Sequence, residues 1–172
     1  MTTLTLNITS RDVEREMCRR SFPFFLRHVR IQEPPVPGLP DSGGVIPLLP
    51  WPHLMELAET LPTTLLLALL KARQDGATWL VASYLAWLGV YRKGTDGLLL
   101  SRTEPDAIDF LSRVGAVLRL LPRHLSLPVT KEASLSLTLA NGSRFTAMAS
   151  TEDAGRGHTY SVVVQDEADF HP

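Results

Sequence analysis

Leu65-Leu66-Leu67-Ala68-Leu69-Leu70-Lys71-Ala72-Arg73-Gln74-Asp75-Gly76-Ala77-Thr78 joins a short apolar run to a polar, glycine-bearing turn, and a long apolar stretch follows from Thr78 to Tyr91. Leu and Ala prefer helix locally. The run is nonetheless too short for a buried helix and precedes a turn, so it is expected to be a buried strand. Thr78 to Tyr91 has helical length. Gly94 to Gly97 reads as a turn, and Leu98-Leu99-Leu100 as a second short strand. Pro105 lies one or two residues inside a helix reaching about Leu121, with Ile108, Leu111, Val114, Val117 and Leu118 on one face and Pro122 as the stop. Ser134 to Leu139 and Arg144 to Met148 alternate around Asn141-Gly142, a hairpin signal. Ser161 to Gln165 is a third apolar run. Strand, helix, strand, helix, hairpin, strand predicts an α/β fold with a mostly parallel sheet and flanking helices. Such a fold takes its ligand at the carboxyl ends of the strands.

Toward the N-terminus the texture changes. Ser10 is placed to cap a helix carrying Asp12 and Glu14 in its first turn, with Arg11, Arg15 and Arg19 in a stripe. That stripe fits a solvated face paired with glutamates, and also a contact to DNA or a partner. Eight of the 13 prolines fall between Pro23 and Pro52, predicting an irregular connection with a short hairpin around Asp41 to Gly44. Pro52 opens a short helix that Pro62 should end. The expected division is therefore an N-terminal arm and Pro-rich connection over 1–50, then a domain over 51–172.

Composition narrows the classes. The 172 residues carry 17 Lys+Arg against 18 Asp+Glu, so a general basic coat for nucleic acid is excluded, though not a local patch. Fourteen of the 17 cations are Arg, suited to planar recognition of carboxylate or phosphate. One cysteine, Cys18, precludes an internal disulfide. The first residues have no apolar core of a signal peptide. The most apolar stretch is shorter than the roughly 20 residues needed to span a bilayer. A soluble, cytoplasmic protein without membrane association is expected.

Two segments carry chemistry. A phosphate loop requires inward amides, a helix N-terminus, a cation and a hydroxyl for magnesium. On the frame G-x-x-x-x-G-K-[ST], Gly76 and Thr78 match, while Ala77 stands at the lysine and Lys71 at the first glycine. The cation has moved to the other end of the loop, with Arg73 as a second. Taken alone, the segment fits an ordinary strand-to-helix turn equally well. Val162-Val163-Val164-Gln165-Asp166-Glu167 is an apolar strand ending in two acids, the form of a Walker B element. There the first carboxylate holds magnesium and the second polarises the attacking water. Strands also end in acids for no catalytic reason. The order and spacing of the two together favour nucleotide binding.

With these motifs the chain resembles the N-terminal ATPase domain of bacteriophage terminase large subunits, the motors that pump DNA into procapsids. The family's deviant loop K-x-R-Q-x-G-x-[ST] is matched by Lys71, Arg73, Gln74, Gly76 and Thr78, and its D-E-A by Asp166-Glu167-Ala168. An upstream R-G pair is matched by Arg156-Gly157, and its "NGS" segment by Asn141-Gly142-Ser143. Trp51-Pro52-His53-Leu54 is similar to the adenine-side W-P-H-Q. The likeness covers about Phe22 to Pro172. It implies a P-loop NTPase-like fold of the ASCE type, incomplete at the C-terminus, with ATP and Mg2+ as cofactors. Lys71, Arg73, Gln74, Gly76, Ala77 and Thr78 would bind the nucleotide, with Thr78 and Asp166 on the metal. Glu167 would be the catalytic base, and Arg156 an arginine finger offered to a neighbouring subunit. The implied partners are double-stranded DNA, the terminase small subunit and the portal, with a homo-oligomeric ring in the complete protein. The implied setting is the cytoplasm of a bacterial host.

Three departures qualify the match. Leu54 replaces the Gln that hydrogen-bonds adenine, Asp75 places an acid in the loop, and the family's coupling motif and nuclease domain do not follow within these residues. The polypeptide alone is therefore expected to be weak or inactive as an ATPase. Asp166-Glu167-Ala168-Asp169 also spells the DEAD of a helicase, whose loop would end G-K-T. A non-catalytic truncated remnant is the other alternative. His28, His53, His124, His158 and His171 show no metal-ligand pairing, and Trp51, Trp79 and Trp87 are expected in packing roles.

Overall fold

The computed structural model describes residues 9–35, 37–38, 43–49, 51–69 and 76–166. Helix α1 (Ser10–Arg20) is capped by Thr9, one residue before the expected Ser10: Thr9 and Asp12 exchange the bonds of a capping box. On the outer face of α1, Arg19 and Arg20 both pair with Glu16, holding its carboxyl down at about 2. A second helix, α2 (Phe22–Leu26), sits within the stretch expected to be irregular, because Pro23 occupies its first turn, where no amide donor is required. Strands β1 (Arg30–Glu33) and β2 (Gly44–Pro47) pair antiparallel, with Ile31 opposite Ile46. They form a hairpin where one was expected; residues 39–42 lie outside the described residues. Helix α3 (Pro52–Thr60) starts at its proline and passes into a 3-10 turn containing Pro62.

Helix α4 (Ala77–Tyr91), strand β3 (Asp96–Ser101) and helix α5 (Glu104–Leu120) follow as expected. Then come β4 (Val129–Ala133), β5 (Ser136–Leu139), β6 (Arg144–Ala149) and β7 (Val162–Gln165). The sheet order is β4-β5-β6-β3-β7. Strand β3 is parallel to both β6 and β7, whereas β4–β5 and β5–β6 are antiparallel. The sheet is therefore mixed, not mostly parallel. The short turns on either side of β5 permit only antiparallel pairing.

The expected strand at Leu65–Leu70 is not found over its described part. Residues 64–69 form no strand, and Leu65 and Leu66 are fully exposed, at 105% and 90%. A strand persists only beside a strand, and the described sheet offers 65–69 no partner; residue 70 lies outside the described residues.

One apolar cluster joins the elements. It runs from Cys18, Phe22, Phe25 and Ile31 through α3, α4 and α5 to Leu137, Phe145 and Ala147. Segments from the first fifty residues thus share the core of the rest, and Trp87 Nε1 donates to the Cys18 carbonyl at 2.7 Å. Helix α4 is apolar nearly all round because it lies among α2, α3, α5 and the sheet. Gly89 lets it approach the sheet: a Cβ there would lie 2.8 Å from the Phe145 ring. Among the described residues, no helix is long and apolar enough to cross a membrane.

Candidate functional site

Chain direction fixes which groups meet. Helix α4 ends at Tyr91 and a short turn leads directly into β3, so the start of α4 lies at the carboxyl end of β3. Helix α5 leaves from that same end, and β6 and β7, parallel to β3, also finish there. The starts of α4 and α5 and the ends of three parallel strands therefore gather at one edge of the fold. This is where an open α/β sheet binds ligands.

Face is decided by the strand alternation. Val162 and Val164 pack against the core cluster, whereas Val163 and Gln165 point away and are exposed. The Asp166 amide donates to Leu100 O at 2.9 Å, closing the last step of the β3–β7 ladder, and Asp166 itself follows the strand half-buried. Helix α4 meets the core face of the sheet near its own end, where Gly89 packs on Phe145, and its first turn contributes Ala77 and Leu80 to the core cluster. By chain direction, Thr78 at the start of α4 and Asp166 after β7 both lie toward the carboxyl end of β3.

Helices α3 and α4 both start without a cap bond from the N-cap side chain, and neither has an acid in its first turn. Helices α1, α2 and α5 each have a side-chain cap from Thr9, Ser21 and Thr103, and α1 and α5 carry acids in their first turns. Helix α4 begins at Gly76, with φ +80°, no side-chain cap and no acid in its first turn. The left-handed conformation requires glycine. Ser101, which the sequence reading passed over, ends β3 one residue after Leu100, whose carbonyl accepts from the Asp166 amide, and is buried. The available signal was a hydroxyl residue directly after the Leu98–Leu100 run. Lys71, Arg73, Gln74 and Glu167, with Asp75, lie outside the described residues.

Arg156 is elsewhere. It sits in the turn-rich 151–157 segment between β6 and β7, exposed, with Nη1 2.5 Å from Asp153 Oδ1. Gly155 in that segment is packed so tightly on Leu98 that a Cβ would lie 2.8 Å from Leu98 Cδ2. Leu98 alternates with Gly97 and Leu99, which face Phe145 and the core, so the segment crosses the face of the sheet opposite α4. Gly76, Ala77 and Thr78 thus open α4, Asp166 follows β7, and Arg156 lies across the sheet from the core helices. His158 lies exposed in the same segment, its ring 6.1 Å from Tyr160.

The Asn141-Gly142-Ser143 segment lies at the opposite end of the sheet and is bound into the frame. Asn141 Nδ2 donates to Gly89 O at 2.8 Å, and the Ser143 amide donates to Asn141 Oδ1 at 3.1 Å. Ser143 Oγ donates to Arg92 O and accepts from the Thr95 amide. It fastens the hairpin to the α4–β3 turn. Leu54 is likewise structural: it is buried, and its Cδ1 would lie 3.2 Å from a Cβ at Gly76.

Thr78 and Asp166 supply hard oxygen donors. Among the described residues, no group of three or more His, Cys, Asp or Glu is arranged to hold a metal. That chemistry suits magnesium, which takes one or two protein oxygens and completes its shell with phosphate and water. No protein-family model matches the chain.

Proposed function

We propose that the protein is the ATP-binding part of a motor of the phage terminase large-subunit kind, with a P-loop-like site at the carboxyl end of its sheet. One observation supports the reading: by chain direction, the start of α4, with Thr78, and Asp166 after β7 both lie toward the carboxyl end of β3. Two sequence motifs 95 residues apart, at Lys71 and Asp166, have the order and spacing that such a site uses.

In this reading the amides at the start of α4 bind the phosphates, and Lys71 and Arg73 neutralise them from the preceding loop. The Thr78 hydroxyl and the Asp166 carboxylate hold the magnesium ion, which supplies charge compensation between the phosphates. Glu167 orients and deprotonates the attacking water. Arg156, on the opposite face, does not serve its own site but is exposed for a neighbouring subunit, as in a ring. Packaging of double-stranded DNA, with the small subunit and portal as partners, is the work of such a motor in its complete form.

Titration of MgATP into the protein tests this. Wild type should bind, and Lys71→Ala together with Arg73→Ala should weaken binding more than tenfold with unchanged circular dichroism. Equal affinity in the double variant would show that the 71–78 loop is not the phosphate site.

A further inference from the structure

Of the strands in the large sheet, α5 packs mainly on β3, β5 and β6, leaving β4 at the edge. A cleft opens between α5 and β4. It consists of two hollows, of about 420 and 340 Å³, that meet at Glu132. Leu118, Leu127 and Val129 line the first, and Ile108, Leu111 and Leu137 the second. Ile108, Leu127 and Val129 are only half-buried, so water reaches the apolar lining. At the junction, Arg119 Nη1 donates to Glu132 Oε1 at 2.7 Å, and the two charges satisfy each other. Such a cleft suits an apolar occupant that brings no charge of its own.

The described chain begins beside this cleft. The Glu14 carboxylate of α1 meets His124 Nε2, and Arg123 and Ser126, close to His124 in the chain, line the first hollow. Thr9 enters α1 with extended backbone, φ −89° and ψ 162°, its amide bound to Asp12. From Thr9 to Glu14 is about 8 Å of helix, whereas eight residues span about 26 Å when extended. The eight residues before Thr9 lie outside the described residues and read Met1-Thr2-Thr3-Leu4-Thr5-Leu6-Asn7-Ile8. None has a charged side chain. On an extended chain Leu4 and Leu6 fall on one side, and Thr3, Thr5 and Asn7 on the other.

We infer that residues 2–8 run as an extended strap into this cleft, with Leu4 and Leu6 seated in its two hollows. Side chains two apart on an extended chain stand about 7 Å from each other, which suits neighbouring hollows that share Glu132 as a wall. The threonines and Asn7 then face water. Seating the leucines removes their own apolar surface and that of Ile108, Leu127 and Val129 from water together. The β-branched threonines favour the extended form. The strap ties the start of α1 to α5 and to the β4–β5 hairpin, places far apart in sequence.

Methyl NMR of the full chain with a nitroxide on Lys131→Cys tests this. Lys131 is exposed on β4 beside Glu132, and the native Cys18 is buried. The Leu4 and Leu6 methyl signals should lose most of their intensity and recover it when ascorbate reduces the nitroxide. The loss should be unchanged by tenfold dilution. A nitroxide on Arg123→Cys, at the first hollow, should give the same pattern without touching β4. Adding Leu6→Asp should restore most of the Leu4 intensity, with circular dichroism unchanged. Full-intensity Leu4 and Leu6 signals with both labels would overturn the strap. A loss that vanishes on dilution would give the cleft to a second copy of the chain and overturn it too. So would a Leu4 signal still weakened in Leu6→Asp, because the leucines would then not be what seats the segment.

Discussion

Replacing Asn141 with alanine separates frame from site. Asn141 donates to Gly89 O at 2.8 Å and accepts from the Ser143 amide at 3.1 Å, joining the β5–β6 turn to the last turns of α4. Each bond contributes about 0.5–1.5 kcal/mol net, and a partner left unsatisfied in a part-buried place costs about 1–3 kcal/mol. Water reaches this turn in part, so Asn141→Ala should destabilise the protein by about 2–3 kcal/mol. For a chain of this size that is about 5–10 °C in melting temperature. Asn141→Asp should destabilise as well, because it keeps the acceptor for Ser143 but sets a carboxylate oxygen against the Gly89 carbonyl. Urea denaturation gives the stability, and MgATP titration of the folded variant gives the binding. The turn lies at the far end of the sheet from Thr78 and Asp166, so the affinity should stay within about twofold of wild type. A loss of affinity with stability intact would contradict the placement of the site. Unchanged stability would contradict the role assigned to the turn.

Further outcomes follow from the same geometry. Burial pushes the Cys18 thiol up to about 11, so at pH 8 about one molecule in a thousand carries the thiolate; a disulfide reagent should label native protein very slowly and urea-unfolded protein quickly. Gly97→Ala would place a Cβ 2.5 Å from Phe145 Cδ1; overpacking of this kind costs about 1–3 kcal/mol, read from the urea midpoint. Arg156→Ala should leave MgATP affinity unchanged, since Arg156 lies across the sheet. For the same reason the dilute 172-residue chain should hydrolyse ATP more slowly than about 1 s⁻¹, the low end of ordinary turnover; a faster phosphate-release rate would mean that no neighbour's arginine is required.

Helices α3 and α5 were legible because their starts and stops are local, with Pro52 and Pro105 in first turns and Pro122 as a breaker, and α4 because its apolar stretch has helical length. The β5–β6 hairpin was legible from Asn-Gly, and β7 from its apolar run. Strand β4 was not, because Val129-Thr130-Lys131-Glu132-Ala133 is an edge strand exposed along most of its length, and charges there look like a loop. Residues 65–69 read as buried because apolar content reports a preference for burial, not the presence of a neighbour to pair with. The position of Arg156 was hidden for a different reason. Which face a crossover takes depends on strand order, and the order β6-β3-β7 exists only once the chain has folded.

The central claim is that Thr78 and Asp166 hold one ion at one nucleotide site. A double-mutant cycle with Thr78→Ala and Asp166→Asn, read as MgATP affinity, tests it most directly. Two ligands of one ion are coupled, so each single variant should lose most of the magnesium-dependent affinity. The double variant should lose little more, leaving a coupling energy of about 1–3 kcal/mol. Losses that simply add, or single variants that bind MgATP as wild type does, would contradict the claim.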